Sequence, residues 1–86
     1  LVNRVTALQD VMPTALDLAR RVSLGAPVAL EKTKEAMVRS NGRPFAEAFE
    51  IETQCTKDNA AMDDAKEGPR AFMEKRPPLF HGRAPR

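Results

Sequence analysis

Apolar positions recur every three or four residues through most of this 86-residue chain, and a few Pro and Gly positions break the recurrence into helices. Met12, Ala15, Leu16, Ala19 and Val22 make one face of a helix predicted from about Val11 to Leu24, with Asp17, Arg20 and Arg21 opposite. Asp10 suits its N-cap, Pro13 falls in the first turn where no intrahelical N–H is needed, and Gly25 suits its end. Pro27 opens a second helix to about Ser40, with Ala29, Leu30, Thr33, Ala36 and Met37 as its stripe. Glu31, Lys32, Lys34 and Glu35 take its wet side. "SNGRP" stops it, because Asn41 and Gly42 tolerate a left-handed cap and Pro44 blocks continuation.

A third helix, about Pro44 to Asn59, repeats Phe45, Ala48, Phe49, Glu52 and Cys55, and Glu52 reads as a structural partner for a buried cation. "MDDAKEG" begins the last helical segment, with Asp63 as cap and Glu67 near the capping-box position. Gly68-Pro69 predicts a short helix, a bend and a second helix from Pro69 to Arg76, after which "RPPLFHGRAPR" is extended. At the other end "LVNRV" alternates and reads as a short strand whose ladder partner is not in this sequence. The expectation is an all-α chain of four to five short helices after a short N-terminal strand. Residues 1–9 would be strand and linker, 10–76 a helical domain and 77–86 an extended basic tail.

Composition narrows function mainly by exclusion. No apolar run approaches the roughly 20 residues of a membrane span. The first residues lack a signal-peptide layout, and the absence of an initiating Met predicts a processed chain or a segment of a longer one. Cys55 is the single cysteine, so no internal disulfide forms, and the only histidine, His81, lies in the tail. Glu47 and Glu50 share a helix face, but no predicted pocket surrounds them, and they read as solvated charges rather than an acid/base pair. There is no Gly-rich phosphate loop, no Cys/His set with metal spacing, and no Ser-His-Asp pattern. Net charge is +2, yet residues 68–86 carry five basic side chains against one acid. That tail suits an anion or simple solvation, while nucleic acid would want a broader basic face or stacking aromatics.

The closing stretch "DDAKEGPRAFMEKRPPLFHGR" resembles the end of the enoyl-CoA hydratase/isomerase, or crotonase, family: Asp63-Asp64, Glu67-Gly68, Ala71-Phe72, Glu74-Lys75-Arg76 and Phe80 follow its order. "LVNRV" resembles the family's exit from the catalytic core, and "ALDLARRV" and "PVALEKTKEAM" resemble its following helices, so the likeness runs over residues 1–83. Pro69 departs from the apolar helix former usual there. The resemblance implies the C-terminal helical region of an enzyme acting on acyl-CoA thioesters in the cytoplasm. Its acid/base glutamates and oxyanion hole would lie in a core that precedes "LVNRV", so no catalytic residue and no metal ligand is assigned here. Its partners would be acyl-CoA, its own catalytic core and neighbouring subunits, with no cofactor beyond the CoA thioester substrate.

The resemblance further implies that Phe72 and Lys75 meet the adenine and phosphate end of CoA. The chemistry suits them: an aromatic ring can stack on a base, and an ammonium can approach a phosphate as a point charge. Residues i and i+3 would share a helix face. Pattern alone favours Phe72 in the core and Lys75 in solvent, and a stand-alone helical interaction module without CoA is the alternative function.

Overall fold

In a computed structural model that describes residues 1–82, helices form where the apolar periodicity places them. Helix α1 is Val11–Ser23, α2 is Pro27–Ser40, α3 is Phe45–Ala60 and α4 is Asp64–Met73. Arg83 and Arg86, counted above in the basic tail, lie outside the described residues.

Two expectations are corrected. "LVNRV" forms no strand; a lone extended segment has no ladder to satisfy its backbone, and among the described residues nothing pairs with it. The chain instead enters α1 through a 3-10 turn at Leu8–Asp10, and the Asp10 side chain does not cap the helix. The second correction is that Gly68-Pro69 does not split the last helix, because Pro69 sits inside a continuous α4. The ring of a proline clashes with the Cβ of the residue before it when that residue is helical, and Gly68 has no Cβ. Among the described residues the α-helices therefore number four, and α4 ends at Met73 rather than Arg76.

Helices α2 and α3 form an antiparallel pair. Ser40 Oγ donates to the Ala48 carbonyl at 3.5 Å near the connecting turn, and Lys32 Nζ lies 3.2 Å from Asp58 at the far end. Gly42, at φ 74°, makes that turn, while Asn41 stays extended. Lys32 also lies 2.8 Å from Glu35, and Glu35 in turn holds Arg39 at 2.6 Å. These bonds hold the Lys32 ammonium above its ordinary pKa, Glu35 contributing most. Lys32, then Arg39, lowers Glu35, while the Gln54 amide, then Lys32, lowers Asp58. The half-buried side of α2 is thus Val28, Ala29, Lys32, Glu35, Ala36 and Ser40, turned from the predicted stripe. Leu30 and Met37 are exposed instead. Ala29, Thr33 and Met37 line an open groove of about 410 Å³ with Glu52, Thr56 and Asn59 of α3. Glu52 is exposed and joins none of the ion pairs among the described residues.

Buried side chains are few: Cys55 on α3, and Asp64 and Ala71 on α4. Met12, Leu16 and Val22, the predicted inner face of α1, remain exposed, and α1 has its main contact with the turn that precedes it. The radius of gyration is 16.2 Å, against about 12 Å for a compact domain of this length. The helices present apolar faces that they do not bury on one another.

What holds the end of the chain is polar. Asp64, in the first turn of α4 and 4% exposed, accepts the His81 N–H at 2.9 Å and the Gly82 N–H at 2.7 Å, one on each carboxylate oxygen. Glu67, one turn along the same face, accepts a bidentate fork from Arg76 at 2.6 and 3.0 Å and the Leu79 N–H at 2.9 Å. Between these two anchors Phe80 covers Gly68, and Gly82, at φ 62°, lies against the Pro27 ring at the start of α2. A Cβ on Gly82 would come within 3.2 Å of that ring, so both the turn and the approach require glycine.

Two outcomes test this clasp. Substituting Asp64→Ala strips a buried acceptor from two amides, at a local cost of about 1–3 kcal/mol. Hydrogen exchange of the His81 and Gly82 amides is expected to accelerate roughly tenfold or more, with α2 and α3 amides unchanged. The Arg76 fork, then the Leu79 amide, pushes Glu67 down from 4.5 to about 2. A depressed carboxyl stabilises fully above its unfolded value and loses that contribution as pH falls through the folded one. The Leu79 amide resonance is therefore expected to titrate near pH 2, and a midpoint near 4.5 would show the clasp unformed.

Candidate functional site

The C-terminal end of α4 and the cap that follows it carry the two candidate residues, in a geometry that helical spacing does not describe. Phe72 belongs to the helix. Lys75 lies beyond the C-cap, Glu74, with φ at 53°, the left-handed region. Its N–H donates to the Phe72 carbonyl at 3.2 Å, and the Arg76 N–H donates to the Ala71 carbonyl at 3.0 Å. Those two bonds define a Schellman cap, in which the left-handed position is usually glycine. An L-residue there carries about 1 kcal/mol of steric cost. The shared helical face expected for Phe72 and Lys75 is thus replaced by a cap that displays both at one end of α4.

Phe72 is 83% exposed, so it is not a core residue of this chain, and Met73 beside it is exposed as well. Ala71, the preceding residue, is 1% exposed and fixes the inner side of the turn. The three cations of the segment divide sharply. Arg76 donates to Glu67 through two bonds, to Glu74 and to the Pro77 carbonyl, so four of its five N–H groups are committed inside the chain. Arg70 lies 3.7 Å from Glu74 on the surface. Lys75 joins no ion pair among the described residues and is the cation left to meet an outside anion.

Phe72 and Lys75 line neither the α2–α3 groove nor the cleft beside the clasp, which Lys66, Glu67, Arg70, Arg76, Leu79 and His81 border. Both are exposed at the end of α4, with a ring chemically able to stack on a base and an ammonium able to pair a phosphate. Glu47 and Glu50 are exposed on α3, Glu47 lying 3.5 Å from Arg43. Among the described residues no group of His, Cys, Asp and Glu is arranged to hold a metal ion, and no helix is long and apolar enough to cross a membrane. Sequence reading missed Asp64 and Glu67 as anchors. Their i,i+3 spacing is legible, but their partners are backbone amides of an irregular segment, for which no periodicity exists.

Comparison with known proteins places this geometry. The family model for enoyl-CoA hydratase/isomerase matches residues 1–83. An enoyl-CoA hydratase of Mycobacterium tuberculosis is 39% identical over 83 residues, covering 96% of this chain and 31% of that protein. A carnitinyl-CoA dehydratase of Citrobacter koseri is 36% identical, covering 96% of this chain and 33% of that protein. The crystal structure of an enoyl-CoA hydratase/isomerase from Mycobacterium paratuberculosis superposes with a TM-score of 0.90 at 29% identity, over 95% of this chain and 32% of that one. The chain spans about a third of the length of the curated relatives it matches. Sequence and fold agree over the same residues, and the chain belongs to the enoyl-CoA hydratase/isomerase family.

Proposed function

We propose that this chain is the C-terminal helical part of an enzyme acting on acyl-CoA thioesters, and that it supplies contacts to CoA and packing surface for the rest of the assembly. The observation that carries the reading is the match to the family over residues 1–83, coupled with an unpaired cation and an exposed aromatic ring on one terminal turn. The two relatives are named for a hydratase and a dehydratase of different acyl groups. What those names share is the CoA thioester, so the CoA handle is the part of the substrate carried over here, and the acyl group is left open.

In this reading the chain binds and orients while chemistry belongs to other residues. Phe72 offers a flat apolar face to the adenine, a contact worth about 1–3 kcal/mol in measured base stacking. Lys75 pairs a phosphate as a compact charge. The exposed face of α1 and the α2–α3 groove pack against the catalytic core or a neighbouring subunit, in a cytoplasmic enzyme. The open shape supports this over a self-sufficient interaction module, because a stable lone domain buries its apolar faces on itself. Such faces predict association of the isolated chain, and a compact, cooperatively unfolding monomer in sedimentation velocity and thermal melts would favour the module.

The cap geometry gives a sharper test of the site. Lys75→Gly removes the charge but relieves the left-handed strain, so it is expected to stabilise the end of α4 by about 1 kcal/mol while weakening CoA binding. Lys75→Ala removes the charge and keeps the strain. Equal loss of CoA-induced NMR shifts in both variants, at millimolar CoA, assigns the contact to the ammonium; unmoved Phe72 and Lys75 signals in the parent chain would end the proposal.

A further inference from the structure

The clasp and the candidate CoA contact meet at one peptide unit. Lys75 is followed directly by Arg76, whose guanidinium returns across the end of α4 to Glu67. Glu67 also takes the Leu79 N–H, so it fixes the chain direction on the far side of Pro77-Pro78. The Glu67 and Arg76 side chains are 17% and 34% exposed, partly shielded from competing water. Lys75 occupies a backbone conformation that a non-glycine residue does not hold by preference. The two cap bonds form wherever a helix ends this way, and they usually recruit glycine. What distinguishes this end is that the left-handed residue is closed into a ring of side-chain bonds, from Glu67 through α4 to Arg76 and back.

We infer that Glu67 and Arg76 are positioning residues for the CoA contact of Lys75: neither touches the ligand, and their ion pair holds the lysine backbone in the left-handed conformation that keeps it exposed at the end of α4 that also carries Phe72. The inference rests on the CoA reading given above. It separates two neighbouring cations by role: Arg76 is the brace and Lys75 is the braced group. It also fixes the sign of an experiment. Glu67 is an anion near an anion-binding lysine, so removing its charge should by Coulomb attraction alone tighten binding of anionic CoA. Removing a brace should weaken it, because apparent affinity falls with the fraction of molecules in the competent conformation.

CoA titrations of the full chain and of Glu67→Gln and Arg76→Lys, followed by NMR shifts, decide between these. Both substitutions keep the approximate side-chain size, and Arg76→Lys keeps the charge while losing the bidentate fork. A competent fraction reduced to about one in five raises the apparent Kd about fivefold, which is the expected effect for each. Helical circular dichroism should be unchanged, and the HN–Hα coupling of Lys75 should move away from its left-handed value. In a Lys75→Ala background the same substitutions should leave the residual CoA affinity unaltered, which a merely destabilising role would not do. Tighter or unchanged CoA binding in Glu67→Gln, or a loss that persists in the Lys75→Ala background, overturns the positioning role while leaving the CoA contact intact. Identical CoA shifts in the parent and Lys75→Ala chains overturn the contact itself and the positioning role with it.

Discussion

Two carboxylates one helical turn apart hold the end of this chain against α4, where no periodic structure could. Asp64 and Glu67 lie in the first turns of α4, where the helix dipole favours negative charge, and both face the segment that follows the helix. Each accepts backbone N–H groups from that segment, and Glu67 takes the Arg76 fork as well. An irregular segment with two prolines cannot satisfy its own amides, so these acids do for residues 79–82 what a ladder or a helix would otherwise do. The Pro-Pro pair, which contributes no donors, falls in the span that needs none. Gly68 lies under Phe80, and Gly82 ends the segment where a side chain would crowd Pro27.

The clasp matters because apolar burial within the chain is so slight. Three buried side chains, one of them an aspartate, do not make an ordinary core. The ion-pair network around Lys32 joins α2 to α3, and the clasp joins the tail to α4 and to the start of α2. Surface ion pairs contribute little individually, and a chain organised this way leaves its apolar faces uncovered rather than drawn into one core. That explains how four well-formed helices coexist with an extended outline of 44 × 40 × 21 Å.

Helix positions were legible in the sequence, because 3.6-residue periodicity and Pro or Gly boundaries are local signals. The start of α2 at Pro27 follows directly from its spelling. Facing was less legible. The stripe on α2 through Leu30 and Met37 is genuine, yet the helix turns Lys32 and Glu35 toward α3, since the α2–α3 contact is settled by small residues and ion pairs. Periodicity identifies an apolar face but does not say which partner receives it. Pro69 misled for a related reason: it removes one helical N–H, but Gly68 has no Cβ to clash with its ring, and the helix continues through it. The clasp was the least legible feature, since it links residues nine to eighteen apart through a segment with no repeat.

The candidate site has a different geometry from the one its spacing suggests. Phe72 and Lys75 do share one end of α4, but through a cap rather than along a helix face. The difference carries information. On a helix, a lysine three residues after a phenylalanine is ordinary and needs no function. At the left-handed position of a Schellman cap, glycine would serve the backbone better, and the lysine incurs a steric cost that the fold itself does not require. A backbone outlier of this kind, beside a braced arginine and without an ion partner among the described residues, is the observation on which the proposed role of Lys75 draws. The argument from strain reaches Lys75 without the family, and the argument from the family reaches it without the strain. Arg76, the more strongly bonded cation, is set aside by both, because a guanidinium with four committed donors has little left to offer a phosphate.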